Sequence, residues 1–143
     1  MKTTKLVPVL VAVMGVALVL LCAETAMAGP GTDGPVPDAK ITLTSTAFTE
    51  GGLIPAQYTC HGTDISPPLA WTAGPAATKS YVILVHDPDA PGGAFAHWVI
   101  YNIPKTAGTL GAGVPTVKIL PDNSRQGRNS FGTIGYAGPC PPA

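Results

Sequence analysis

The sequence predicts a mainly β protein with little helix, and three observations support this fold class. Residues 81–86 and 97–102 are apolar runs rich in β-branched and aromatic side chains, as in neighbouring strands. The 143 residues include 16 prolines and 17 glycines, which are too many for a helical bundle. Beyond residue 28, no long stretch shows a helical period. The apolar residues suffice for the core of one antiparallel β-sandwich domain.

Residues 1–28 have the pattern of a secretory signal peptide. Lys2 and Lys5 give a basic start, residues 6–23 carry no charge, and Ala26-Met27-Ala28 supplies small residues for cleavage. This pattern predicts an exported protein, either periplasmic or secreted.

The same N-terminal segment leaves two other interpretations open. The apolar stretch at residues 6–23 is close to the shortest that spans a bilayer, so an uncleaved membrane anchor is the alternative. Cys22 suggests a lipoprotein, but the preceding Leu21 is bulky where lipid attachment needs a small residue. We therefore expect no stable membrane insertion after cleavage.

The exported remainder divides into a flexible leader and a folded domain. Residues 29–40 are rich in Gly, Pro and Asp and have little to bury, whereas residues 41–143 carry the predicted strands. Six basic and seven acidic residues remain after residue 28. With so few charged residues, the domain has no basic surface for nucleic acid and no polybasic patch for anionic membranes.

The first half of the domain is predicted to hold one weak strand. Apolar and polar residues alternate at residues 41–45, as in a half-exposed strand. A turn at residues 50–52 and a short extended piece at residues 53–55 follow. Residues 60–71 are predicted to be irregular because Ser66-Pro67-Pro68 lacks two backbone donors.

The second half holds the strong strands. Residues 81–86 and 97–102 flank a rigid loop, and a weaker strand is predicted at residues 114–120, where Pro115 interrupts it. Residues 121–143 are glycine-rich and are predicted to be mostly loop.

Ionisable side chains crowd the junction between the two strong strands. Asp87 ends the first strand, Asp89 stands between prolines, and His97 begins the second strand. Because the prolines hold the backbone extended or turned, these groups sit on a stiff loop, where binding sites commonly lie. The structural alternative is a turn in which Asp87 accepts a hydrogen bond from its own loop backbone.

No catalytic or metal-binding pattern accompanies these residues. The Gly-x-Ser-x-Gly elbow of serine hydrolases is absent, and the surroundings of Ser130 do not fit it. The possible metal ligands lack compact spacing such as Cys-x-x-Cys. These ligands are Cys60, His61, His86, Asp87, Asp89 and His97. We expect a protein without enzymatic activity, cofactor or metal.

Four motifs occur in order along the domain. They are Asp64-Ile65-Ser66-Pro67-Pro68-Leu69-Ala70-Trp71, Asp87-Pro88-Asp89-Ala90-Pro91 with His97, Gly127-Arg128-Asn129-Ser130-Phe131-Gly132, and Gly135-Tyr136-Ala137-Gly138-Pro139-Cys140-Pro141-Pro142. Together they resemble the phosphatidylethanolamine-binding proteins, also called Raf kinase inhibitor-like proteins, and in particular their bacterial branch. The resemblance covers the chain from about residue 41 to its last residue.

The resemblance implies a β-sandwich around a large antiparallel sheet, with a small anion-accepting pocket at one end. Asp87 and His97 match the pocket aspartate and histidine of the family. The other implied ligand-binding residues lie in two flanking segments: His61, Asp64, Gly138, Cys140, Pro141 and Pro142. The resemblance also implies that Cys60 and Cys140 border this pocket, so we expect a disulfide between them in an oxidising compartment.

The resemblance also shows a departure at the C-terminus. Family members continue past the proline pair into a His-Arg-Tyr segment that opens a final core strand, whereas this chain stops at Ala143. Either the sequence is a fragment of a longer protein or the product is truncated, and in both cases we expect residues 41–143 to lack the last core strand of the domain. The short connection at residues 92–96 also has no match for the pocket tyrosine of some relatives.

The implied function is binding of a small anionic or zwitterionic molecule, such as a phosphate ester or a phospholipid head group. We expect Asp87 to hydrogen-bond His97 or a ligand ammonium, and backbone amides of residues 135–138 to donate to the anion. The alternative is a protein-interaction module similar to the kinase or protease inhibitors of the family, with a protein partner.

Overall fold

The computed structural model describes residues 40–141. The predicted signal peptide, the leader up to residue 39 and Pro142 lie outside the described residues. Within them, the regular elements are six strands and one 3-10 turn at Ala56–Tyr58. The strands are β1 (Leu43–Thr44), β2 (Leu69–Trp71), β3 (Ser80–Asp87), β4 (Phe95–Pro104), β5 (Thr109–Leu110) and β6 (Arg125–Gln126). No helix in this part of the chain is long and apolar enough to cross a membrane.

The strands form two antiparallel sheets. One has the order β1-β2-β5, and the other has the order β3-β4-β6. The hairpin of β3 and β4 is the largest unit, with Tyr81 opposite Ile103 at one end and Asp87 opposite Phe95 at the other. The predicted fold class is therefore confirmed, and so are the two strong strands.

Strand β4 carries two bulges, whereas β3 is regular. Between the pairs Tyr81–Ile103 and Ile83–Ile100, β4 has one residue more than β3. Asn102 adopts a left-handed φ of 57° at this point. A second extra residue, His97, lies between the pairs Val85–Trp98 and His86–Ala96. Bulges bend a strand and redirect side chains, and they are frequent beside functional sites.

Both sheets bury their apolar side chains in one core. Alternate residues of β3, namely Tyr81, Ile83 and Val85, are almost completely buried, as the strand period requires. Trp71 of β2 meets Tyr81 edge-on with 5.7 Å between ring centroids, which joins the two sheets. Trp98 of β4 is fully buried and packs in the same way against Tyr136. The other members of the core cluster are Leu69, Ile100, Ile103 and Leu120.

Two weaker predictions are wrong in part. Residues 60–71 were expected to be irregular but end in β2, whereas residues 121–141 are mostly loop as expected, with only the short strand β6 among them. The strand expected at residues 114–120 is reduced to one bridge, between Ile119 and Arg125. The reason is that the Gln126 side chain, not a neighbouring strand, donates to the carbonyl groups of Pro115 and Val117.

Candidate functional site

His97 lies at the bulge of β4, at the end of the β3–β4 hairpin. A regular strand would alternate buried and exposed residues, yet His97 and Trp98 are 3% and 0% exposed. The extra residue in β4 lets both neighbours be buried, Trp98 in the core and His97 beneath the segment that contains Ala137. The local backbone therefore places an imidazole at a covered position beside the loop end of the sheet.

The imidazole of His97 is oriented by one residue. Its Nδ1 lies 2.8 Å from the carbonyl oxygen of Ala137, and the amide of Ala137 donates to the carbonyl of His97 at 3.0 Å. Because a carbonyl oxygen only accepts, Nδ1 must carry the proton. Neutral His97 therefore offers Nε2 as an acceptor, and protonated His97 offers Nε2–H as a charged donor.

Two phenylalanines border the imidazole. The ring centroids of Phe95 and Phe131 lie 5.0 Å and 5.8 Å from that of His97, and 4.7 Å from each other. Phe131 is 49% exposed, so this aromatic wall reaches the surface. The sequence alone assigned neither ring to the site. The signal for Phe95 was its place two residues before His97 on the same strand, and Phe131 stood in the motif at residues 127–132 without a role of its own.

Asp87 lies at the same end of the sheet, opposite Phe95. Its Oδ1 accepts a hydrogen bond from the backbone N–H of Asp89 at 2.9 Å. This is the structural turn that the sequence left open as an alternative. Within the described part of the chain, residues 40–141, Asp87 forms no hydrogen bond with His97. The Asp87–His97 bond, one of the two expectations for Asp87, is not formed; Nδ1 of the imidazole is bonded to Ala137 and Oδ1 of Asp87 to the amide of Asp89.

A disulfide joins the two segments that the resemblance places beside the pocket, one around His61 and Asp64 and the other at residues 138–142. The Sγ atoms of Cys60 and Cys140 are 2.12 Å apart, across a sequence separation of 80 residues. The amide of Cys60 also donates to the carbonyl of Pro139 at 3.3 Å. His61 is exposed beside this disulfide, and so is Pro141.

Asp64 and Tyr136 add two short hydrogen bonds to this connection. Asp64 Oδ1 accepts from the amide of Gly138 at 2.6 Å, and the Tyr136 hydroxyl donates to the carbonyl of Tyr58 at 2.6 Å. Burial, and secondly the negative charge of Asp64, raise the pKa of the Tyr136 phenol above its ordinary value. Tyr136 therefore remains a protonated donor.

Three of the four amides in the glycine-rich segment at residues 135–138, which were expected to donate to an anion, already have acceptors in the protein. The amide of Gly135 donates to Gly127, that of Ala137 to His97, and that of Gly138 to Asp64. At Gly138 a Cβ would come within 2.7 Å of Asp64 Oδ1 and of Thr59 Cα, so only glycine fits. These three amides hold the fold together and are not free to bind an anion.

The predicted residues thus form two neighbouring groups. Asp87 and His97 lie at the end of the β3–β4 hairpin, whereas His61, Asp64, Gly138 and Cys140 surround the disulfide, and Ala137 connects the groups. A groove of about 290 Å³ elsewhere, between β1 and residues 48–54, is lined by none of them. Among residues 40–141, no three His, Cys, Asp or Glu side chains form a group that could hold a metal ion.

Comparison with known proteins places this geometry in a family. A family model described as Phosphatidylethanolamine-binding protein matches residues 44–143. The chain is similar to a UPF0098 protein of Methanothermobacter thermautotrophicus, with 48% identity over 103 residues that cover 72% of this chain and 68% of the relative. A UPF0098 protein of Aquifex aeolicus is 49% identical over 104 residues, which cover 73% and 60%. LppC of Mycobacterium tuberculosis, named as a lipoprotein, is 38% identical over 110 residues, which cover 76% and 52%.

Two solved structures show the same architecture. YbcL from E. coli, a member of the mammalian PEBP family, gives a TM-score of 0.66 with 36% identity, over 73% of this chain and 68% of YbcL. The homologue CT736 of Chlamydia trachomatis gives a TM-score of 0.63 with 40% identity, over 71% and 66%. The chain thus spans about two thirds or less of the length of most of these relatives.

Proposed function

This chain belongs to the phosphatidylethanolamine-binding protein family, and on that premise we propose that it binds a small anionic or zwitterionic molecule beside His97. A phosphate ester or a phospholipid head group has the required chemistry. The chain acts by binding and not by catalysis. We further propose that it works outside the cytoplasm, since the similar LppC is named as a lipoprotein and residues 1–28 have an export pattern.

The observation that carries the proposal is the hydrogen bond from His97 Nδ1 to Ala137. It fixes the ring orientation before any ligand arrives, so Nε2 is left for the ligand. When the ring is protonated, Nε2–H forms a charge-assisted hydrogen bond with a phosphate oxygen. When the ring is neutral, Nε2 accepts from a protonated phosphate oxygen or an ammonium group.

Asp87 and Phe131 supply the rest of the site. Asp87 Oδ1 is occupied by its turn, but the carboxylate still has acceptor capacity for an ammonium group, which suits a zwitterionic head group. The half-exposed Phe131 offers an apolar surface to the carbon atoms of the ligand. Two charge-assisted bonds contribute about 1.5–3 kcal/mol each. We therefore expect a dissociation constant on the order of 1 mM.

Titration with O-phosphoethanolamine at mildly acidic pH, followed by amide chemical shifts, tests the proposal. We expect the shifts to move at residues near 95–97 and 131, with saturation at millimolar concentration. The variant His97→Ala removes both states of the ring and should abolish binding.

His86→Ala is the matched control, because His86 lies on the neighbouring strand and is half-buried. This variant should bind as the unaltered chain does. An unchanged dissociation constant in His97→Ala would contradict the proposed site. Loss of binding in both variants would point to general damage to the hairpin and would also remove the support for His97.

A further inference from the structure

Residues 136–140 are fixed between strand β4 and a loop that we call the brace, residues 58–64. Tyr136, Gly138, Pro139 and Cys140 each bond to the brace, through the phenol, an amide, a carbonyl and the disulfide. Ala137 alone in this segment bonds to β4, and it bonds twice to His97. All residues of the segment except Ala137 are thus attached to the brace, whereas the carbonyl of Ala137 accepts a hydrogen bond from the imidazole.

Asp64 has the geometry of a residue that supports this arrangement. It adopts a left-handed φ of 55°, which few residues other than Gly, Asn and Asp tolerate. Its Oδ1 is occupied by the amide of Gly138, the residue that directly follows Ala137. A second negative charge near a phosphate site would also repel the ligand. The occupied Oδ1 and this repulsion both indicate that Asp64 contacts the protein and not an anionic ligand.

We propose that Asp64 is a positioning residue and that the Cys60–Cys140 disulfide is a redox control of the ligand site, because together they hold the Ala137 carbonyl against His97. This inference rests on the proposed function for its effect on affinity. The orientation of the His97 ring is a consequence that can be measured without a ligand.

The redox step needs a dithiol as reductant. One thiolate of the dithiol attacks a disulfide sulfur, and its second thiol completes the exchange, so the reductant becomes an internal disulfide. Cys60 and Cys140 together take up two electrons and two protons and become free thiols. Cys140 is exposed and Cys60 half-buried, so the bond is within reach of a small dithiol.

Reduction removes the covalent attachment and leaves only hydrogen bonds between the brace and residues 136–139. We expect the segment to move away from β4 for part of the time, so that His97 Nδ1 loses its fixed acceptor. The imidazole then exchanges between its two tautomers, and affinity for O-phosphoethanolamine falls about five- to tenfold, as for the loss of one well-made hydrogen bond.

Nitrogen NMR of the full chain, labelled with 15N-histidine, measures this directly. The chain has three histidines, and the signal of His97 is identified by its loss in His97→Gln. In the oxidised chain we expect the neutral His97 to show a protonated Nδ1 and an unprotonated Nε2. After dithiothreitol the two nitrogen shifts should approach each other. A reduced chain that stays folded and keeps the Nδ1–H tautomer would overturn the redox control.

Two substitutions at Asp64 test the positioning role in the oxidised chain. If the reduced chain unfolds, the disulfide is needed for the fold and the redox control is wrong, while these substitutions still decide the positioning role. Asp64→Asn keeps an acceptor for Gly138 and tolerates the left-handed backbone, so it should retain both the tautomer and the affinity. Asp64→Gly also fits the backbone but has no acceptor, so it should lose the fixed tautomer and bind about five- to tenfold more weakly.

The outcomes separate this inference from the proposed function. If no phosphate ester binds the oxidised chain, the proposed function fails, and the tautomer measurement still decides on the brace. If Asp64→Asn and Asp64→Gly weaken binding equally, the charge of Asp64 acts on the ligand and the positioning role is wrong. If Asp64→Gly keeps both tautomer and affinity, the brace does not control His97.

Discussion

Tyr136 shows how one buried group connects the core to the site. Its ring packs edge-on against Trp98, and its hydroxyl donates to Tyr58 in the brace. Burial and the charge of Asp64 raise the pKa of this phenol, so the folded chain keeps the proton at a pH where the unfolded chain loses it. The contribution to stability is complete below the ordinary tyrosine pKa and declines above it.

We therefore predict that the free energy of unfolding falls as the pH is raised from about 9 to about 11, across the ordinary tyrosine pKa of about 10. Urea unfolding midpoints at several pH values measure this fall. Tyr136→Phe should be less stable by about 1 kcal/mol at neutral pH and should depend less on alkaline pH. If both proteins lose stability in parallel above pH 9, the dependence comes from other groups.

At this scale the sequence predicted where Asp87 and His97 lie better than what they contact. Asp87 and His97 do lie at one end of the same hairpin, as their spacing indicated. A hydrogen bond between them is not formed; instead Ala137, 40 residues further on, bonds to Nδ1 of His97. A partner so distant in sequence is set by tertiary packing, which no local pattern of residue types encodes.

Among the elements, β6 is held in place by the side chain of Gln126 as well as by its backbone pairing with β4. Gln126 is almost fully buried, and its Nε2 donates to Pro115 and Val117 at 2.6 and 2.8 Å. Its Oε1 accepts from the indole nitrogen of Trp98 at 2.7 Å. One amide group thus connects β6, β4 and the segment that follows β5.

We predict that Gln126→Met, which keeps the size but not the hydrogen bonds, destabilises the fold by about 2 kcal/mol. The buried indole N–H of Trp98 loses its acceptor, which costs about 1–3 kcal/mol, and the carbonyl groups of the exposed residues Pro115 and Val117 lose a donor. Arg125→Met is the control, since the neighbouring Arg125 is exposed, and it should change stability by less than about 0.5 kcal/mol. Denaturant unfolding of both variants measures the difference. A loss below about 1 kcal/mol in Gln126→Met would mean that these groups find other partners.

The elements differ in how well the sequence predicts them, and length is the physical reason. The strands β3 and β4 have 8 and 10 residues, which is enough for a composition and a period to be recognised. The strands β2, β5 and β6 have 2 or 3 residues, and such a short piece has no period. Of these, only β6 pairs with a long strand, β4, and Gln126 helps to hold it there, whereas β2 and β5 pair with each other.

For the whole molecule, the disulfide is a covalent bond between parts of the chain that are 80 residues apart. It connects Cys60, before β2, with Cys140, after the last strand, and thus closes a loop that contains the strands β2 to β6. In the chain-entropy account, closing a loop of this length in the unfolded state stabilises the fold by about 4.5 kcal/mol. Small domains have a total stability of about 5–15 kcal/mol, so this bond is a large fraction of the whole.

We predict that reduction lowers the free energy of unfolding by about 4 kcal/mol, measured as the urea midpoint with and without dithiothreitol. The double variant Cys60→Ser with Cys140→Ser is the control: it should match the reduced chain and be insensitive to the reductant. Equal midpoints for the oxidised and reduced chains would mean that the hydrogen bonds of the brace hold residues 136–140 without the covalent bond. A reduced chain that is less stable but folded is the state in which release of His97 can be observed, because the core formed by the two sheets does not include the cysteines.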